Sequence, residues 1–137
     1  MPRPLGLRSV DTTILARWLL GDDPAQADLA ESLLREPSWI SQTVLLELGW
    51  VLHKALRLPR DIVADMFEQI LALDTAIIAR QERMAWAISR YRAGADWGDV
   101  MHLAASSAEI GAFATFDRKL ARAAGPDSPI LIETLQA

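Results

Sequence analysis

The feature that most constrains this chain is its rhythm of breaks, in which turn-forming residues recur at intervals that separate short apolar runs from longer helical ones. Leu7 to Val10 reads as a short strand ended by Asp11, and Thr12 to Leu20 as a helix closed by Gly21. Asp23-Pro24 pairs an N-cap with proline at the first helical position and opens a second helix to about Arg35, which Pro37 stops. Ser38 to Ile40 is a short buried strand, and Ser41 with Thr43 caps a helix from about Thr43 to Ala55. After Leu58-Pro59, Ile62, Met66, Ile70 and Leu73 recur near helical spacing and stop before Asp74.

The second half repeats the pattern. Thr75 to Ala79 is apolar and rich in β-formers, hence a strand, and Met84, Ala87, Ile88 and Tyr91 form a stripe at i, i+3, i+4 and i+7 of a helix ended by Gly94. A further helix runs from about Asp96 to Ile110, then come a strand from Ala112 to Phe116, a short helix from Asp117 to Ala123, the break Gly125-Pro126, and a last strand from Ile130 to Ile132. Strands separated by helices are joined by parallel crossovers, so the expected fold class is α/β, a small parallel sheet of four to five strands with helices on both faces. No repeat, low-complexity tract or linker interrupts residues 1–137, which read as one domain.

Composition excludes several function classes. A chain of 137 residues buries roughly 68–70% of the surface its unfolded form exposes, enough for a true core. Fourteen Lys and Arg against eighteen Asp and Glu leave a net charge of −4, which weighs against a large electropositive footprint. With no cysteine, disulfides, thiol catalysis and cysteine-ligated zinc are excluded, and any metal must sit on oxygen or histidine. Glu47, Lys54, Asp61 and Asp65 interrupt the most apolar region, so no membrane span is expected. Val10 is followed at once by Asp11, and the next apolar patch stops at Arg17, so no signal-peptide core is expected and the default location is cytoplasmic.

Four acids occupy positions that solvent-facing charges do not normally choose. Asp11 and Asp117 each follow a strand, where open α/β sheets collect ligands, although Asp is also a good helix N-cap. Glu47 lies in Val44-Leu45-Leu46-Glu47-Leu48-Gly49-Trp50-Val51-Leu52, sharing a face with Val44, Leu48 and Val51, with apolar neighbours on every side. A carboxylate in such surroundings is costly unless it is paired, as with an arginine from another helix, or bound to metal. Asp96 and Asp99 stand at the N-cap and N3 positions of a helix, the spacing of a capping box, so each has a structural role available. Two like charges about 4 Å apart repel by about 4 kcal/mol at an effective dielectric near 20, so a cluster of such acids calls for a hard cation such as Mg²⁺ or Mn²⁺.

Other residues add less. His53 borders Lys54 near a helix end, and His102, three residues after Asp99, either approaches the site or is a packed or capping side chain. Asp22 and Asp23 are explained by a turn and a cap, and neither a phosphate-binding glycine loop nor a supported Ser-His-Asp grouping is present. Of Trp18, Trp39, Trp50, Trp86 and Trp97, only Trp97 is expected near substrate, the others in the core or at a partner surface.

Taken in order, Val10-Asp11-Thr12-Thr13-Ile14-Leu15, Leu46-Glu47-Leu48, Asp96-Trp97-Gly98-Asp99-Val100-Met101-His102-Leu103-Ala104 and Thr115-Phe116-Asp117-Arg118 make the chain resemble a PIN domain, and more narrowly the VapC-like toxins of type II toxin–antitoxin modules. The resemblance covers essentially the whole chain. It implies a three-layer PIN-like fold and a metal-dependent endoribonuclease, with Asp11, Glu47, Asp99 and Asp117 as the acidic quartet for Mg²⁺ or Mn²⁺. Asp96, Thr115 and Thr12 are auxiliary. The family usually has Asn where this chain has Thr13, so a hydrogen bond behind the site is lost or remade, and Arg8 and Ser9 make the first strand less apolar than usual. Also implied are products with a 5′-phosphate and a 3′-hydroxyl, single-stranded or looped RNA as substrate, a cognate antitoxin peptide in an apolar groove, and a homodimer. Arg80, Arg83, Arg90, Arg92, Arg118, Lys119 and Arg122 are candidate phosphate contacts.

Two alternatives stand beside this reading. One is a PIN-like module without catalysis that serves as an RNA or protein adaptor; the other, a receiver-type phosphoacceptor, wants an acidic pair where Arg8-Ser9-Val10-Asp11 has one acid. Setting the four acids aside leaves fourteen acids against fourteen bases, so the proposed site carries the whole charge excess.

Overall fold

The computed structural model describes residues 7–106 and 109–137. The chain divides into two compact units, Met1–Ala79 and Arg80–Ala137.

In the first unit the order is β1 (Arg8–Ser9), α1 (Thr12–Leu20), α2 (Pro24–Leu34), β2 (Ser38–Trp39), α3 (Gln42–Gly49), a π-helical turn (Trp50–Ala55), α4 (Arg60–Leu71) and β3 (Ala76–Ile77). The strands form a parallel ladder in the order β1-β2-β3, with Ser38 opposite Arg8 on one side and Ala76 on the other. The Val10 amide donates to the Trp39 carbonyl and the Ile40 amide to that of Ile77, both at 3.0 Å, which carries the pairing to the carboxyl ends of the strands. Helix starts and stops follow local chemistry. Asp23 Oδ1 accepts from the Gln26 amide ahead of Pro24, Ser41 Oγ accepts from the Val44 amide, and Gly21 takes the left-handed conformation (φ 62°) while its amide returns to the Arg17 carbonyl.

Two helical phases differ from expectation. The inward stripe of α3 and the following turn is Leu45, Leu48, Gly49 and Leu52, which leaves Glu47 on the exposed side. In α4 the buried residues are Val63, Ala64, Phe67 and Ile70, whereas Ile62 is exposed. The helix expected from Thr43 to Ala55 starts at Gln42 and widens at Trp50, where the Leu56 amide bonds the Val51 carbonyl five residues back.

The second unit contains α5 (Gln81–Arg92), α6 (Trp97–Ala105), β4 (Ala112–Thr115), α7 (Leu120–Ala124) and β5 (Leu131–Thr134). β4 and β5 pair in parallel from Ala112 opposite Leu131 to Thr115 opposite Thr134. The stripe Met84, Ala87, Ile88 and Tyr91 is buried as the spacing predicts. Leu103, Leu120, Ala124 and Ile130 form a core against which Trp86, Phe113 and Ile132 pack, and burying a side chain such as Leu103 contributes roughly 1.5–3 kcal/mol. α6 is shorter than expected, ending at Ala105 in an extended C-cap at Ser106; Ser107 and Ala108, within the longer helix the sequence suggests, lie outside the described residues. The fold class is therefore α/β with parallel pairing, the five strands among the described residues divided into a three-stranded and a two-stranded ladder.

Candidate active site

In the first unit, β1 runs into the buried Val10, and Asp11 caps α1 from an extended backbone (φ −81°, ψ 158°). Both its carboxylate oxygens are engaged: Oδ1 accepts from the Thr12 amide and Oδ2 from the Thr13 hydroxyl, each at 2.8 Å. Each oxygen keeps a second lone pair for a cation. The buried Thr12 turns its own hydroxyl the other way and donates it to Glu47 Oε1. One residue thus fixes two acids that lie 36 positions apart in sequence, one through its amide and one through its hydroxyl.

The expectation that Glu47 sits among apolar neighbours is corrected here, since the residue is exposed. Its helix is apolar on nearly all sides, so the pattern alone leaves open which stripe turns inward. Thr13, standing where the resemblance would put Asn, donates its hydroxyl to Asp11 Oδ2. The run Asp11-Thr12-Thr13 carried that signal, because a hydroxyl one or two residues after an N-cap can reach the cap's carboxylate.

In the second unit, Asp96 caps α6 with Oδ2 accepting from the Asp99 amide at 3.0 Å. Gly98 keeps this arrangement open, because a Cβ there would stand 3.1 Å from the same Oδ2. Asp117 follows β4, its amide donating to Thr115 Oγ1 at 3.0 Å and its Oδ1 accepting from the Lys119 amide at 2.9 Å. It therefore closes a turn before α7 rather than opening the helix itself, which begins at Leu120. The half-buried Asp99 carboxyl is pushed above its ordinary value of 3.8, first by burial and then by the negative charges of Asp96 and Asp117, against the opposing pull of His102.

Each unit thus groups its own acids: Asp11 with Glu47 through Thr12, and Asp96 with Asp99 and Asp117. Carboxylate oxygens of this kind suit Mg²⁺ or Mn²⁺, so the donor chemistry fits a divalent ion. Among the described residues no three His, Asp or Glu side chains are gathered closely enough to hold a metal ion.

Trp97, expected near substrate, is instead buried and meets Tyr91 edge-on, ring centroids 5.5 Å apart at 74°. Trp50 is the most exposed tryptophan, at 62%. Arg90 is not a free cation for phosphate either: its Nε donates to the Ala123 carbonyl at 2.8 Å and its guanidinium lies against Gly125. Arg118, Lys119 and Arg122 are exposed.

A chain whose strands pair in parallel, the first of them handing over to the Asp11-capped α1, belongs to the parallel α/β class, which collects ligands beyond the carboxyl ends of its strands. Within that class, the PIN domain family model matches residues 9–126, and the chain belongs to the PIN domain family. PIN domains are in general nucleases that need a divalent metal. No curated protein and no solved structure matches the chain.

Proposed function

We propose that this chain is a metal-dependent endoribonuclease toxin of a toxin–antitoxin system, acting in the cytoplasm as a homodimer. Asp11, Glu47, Asp99 and Asp117 hold Mg²⁺ or Mn²⁺, with Asp96, Thr115 and Thr12 positioning them. The observation that carries this reading is the double use of Thr12, which orients Asp11 and Glu47 with one residue and spends a hydroxyl on a carboxylate that solvent could otherwise satisfy. The bound ion supplies a more acidic water and a counter-charge for the phosphodiester transition state. The chain's own residues do the rest. Thr12 and Thr13 fix Asp11, Thr12 orients Glu47, and Asp96 pins the first turn of α6 so that Asp99 keeps one position. RNA that is single-stranded or looped suits such a site, because its backbone can bend and its bases splay.

A groove of about 230 Å³ between α1 and α2, lined by Thr13, Ile14, Arg17, Gln26, Leu29 and Ala30, supports the antitoxin part of the reading. Leu29 is 71% exposed at this groove and offers apolar contact to a peptide side chain.

Purified protein is expected to cleave a structured RNA in Mg²⁺ or Mn²⁺, leaving 5′-phosphate ends, and to lose cleavage in EDTA or as Asp11→Asn. Full activity of Asp11→Asn refutes the assignment. The spacing of the acids among the described residues favours one second reading, an inactive PIN-like adaptor for RNA or protein. Mn²⁺ titration separates the two, since the adaptor would bind RNA while taking up no Mn²⁺.

A further inference from the structure

We propose that Arg80 and Arg83 form a clamp for a backbone phosphate of the RNA strand, at the end of α6 opposite the acids. This rests on the ribonuclease reading and adds to it where the strand lies. Both guanidiniums donate through Nη1 to a single acceptor, the carbonyl oxygen of Ser106, the C-cap of α6. Arg80 is held there by a left-handed backbone (φ 53°), uncommon for a residue with a side chain, which sets it at the N-cap of α5 three positions ahead of Arg83. A guanidinium carries five N–H donors, so one neutral oxygen leaves most of this pair's donors unspent.

Two positive charges within hydrogen-bond reach of the same atom repel, and that repulsion calls for an anion between them. Among the described residues, ion pairs form at Arg17 with Asp22 and at Arg35 with Glu31, and neither Arg80 nor Arg83 takes part in one. The planar fork of arginine matches phosphate oxygens two at a time, which makes a phosphodiester the fitting anion.

The position of the pair follows from α6. Asp99 and His102 stand at i and i+3 on one side of the helix, Asp99 half-buried and His102 exposed, and the chain leaves α6 at Ser106 through an extended C-cap (φ −65°, ψ 140°). At about 1.5 Å per residue, Ser106 lies about 10 Å along the axis from Asp99, roughly three nucleotides at the stacked rise of a strand. A strand laid along this side would put one phosphate near the acids of α6, where His102 can also reach it, and a later one on the arginines. Phosphate contacts fix register without reading sequence, so the clamp acts on affinity for every RNA alike.

The test is fluorescence anisotropy with a labelled single-stranded RNA in EDTA, titrated across salt, with thermal unfolding measured alongside. The double variant Arg80→Gln/Arg83→Gln keeps amide donors for the Ser106 carbonyl and removes the charge. Losing two phosphate contacts is expected to reduce the salt slope by about 1.4 and to weaken binding about tenfold at 0.15 M salt. Arg80→Lys/Arg83→Lys, which keeps the charge, should retain a slope near wild type. An unchanged slope in the Gln variant overturns the clamp and leaves the ribonuclease reading standing, as does a lower melting temperature with wild-type binding, which would mean that the arginines only cap α6. Wild-type protein that binds no RNA overturns the ribonuclease reading and the clamp with it.

Discussion

Replacing Thr12 by Val separates the amide of this residue from its hydroxyl. The amide bond to Asp11 belongs to the backbone and survives, while the donor to Glu47 is deleted with almost no change in side-chain volume. Thr12 is 5% exposed, so the added methyl finds an apolar environment and opens no cavity. A hydrogen bond to a charged group is worth about 1.5–3 kcal/mol, but Glu47 is exposed and water replaces the lost donor, which puts the expected loss near about 1 kcal/mol. For a domain of this size that lowers the melting temperature by roughly 4 °C. The larger consequence is positional. Glu47 regains its rotamers, and misplacement on the order of 1 Å costs up to about a hundredfold in rate, so cleavage should fall by about 10- to 100-fold. Initial-rate cleavage of a labelled RNA, with calorimetry in parallel, checks both, and Thr12→Ser should recover most of the activity. If Thr12→Val melts earlier yet cleaves within twofold of wild type, the hydroxyl serves the fold alone and Glu47 does not depend on it.

Two further predictions concern the second unit. The raised pKa of Asp99 means that the folded protein binds this proton more tightly than the unfolded chain does, so the group's stabilising contribution is complete below 3.8 and is lost as pH rises through the folded value. Asp99→Asn should therefore raise the melting temperature of metal-free protein at pH 7, with a gain that shrinks towards pH 4; a variant less stable than wild type at pH 7 contradicts this origin of the shift. Gly125 holds φ 76° and ψ −175°, a region open in practice only to glycine, and a Cβ there would stand 3.0 Å from Arg90 Cζ. Gly125→Ala should cost about 1–3 kcal/mol, seen as an earlier thermal transition, and an unchanged transition would show that the turn relaxes freely.

Much of the local structure was legible because its causes are local. Asp11 and Gly21 bound α1 at the residues the sequence indicates, Asp23-Pro24 opens α2, and Met84, Ala87, Ile88 and Tyr91 face inward as their spacing requires. Caps, left-handed stops and a periodic stripe are each encoded within a few residues of where they act. The caps at Asp11 and Asp96 follow the same rule, whereas the apolar run around Glu47 suggested a burial that the folded chain does not give it.

What the tertiary structure decided is which way ambiguous surfaces turn. The segment from Val44 to Leu52 is apolar around most of its circumference, so periodicity gives no unique phase; packing selects Leu45, Leu48 and Leu52, and Glu47 is released to solvent and to Thr12. Trp97, beside two acids in sequence, turns inward because Tyr91 offers an aromatic edge. The basic residues of the second unit read alike as a list, yet Arg90 is spent on the Ala123 carbonyl while Arg80 and Arg83 meet at Ser106. In each case the deciding partner is distant in the chain or set by packing, and that information is absent from any local window. By itself the sequence determined the elements, the parallel α/β class and the acids worth watching. Only the folded chain determined which hydroxyl holds which carboxylate and which arginines share one carbonyl.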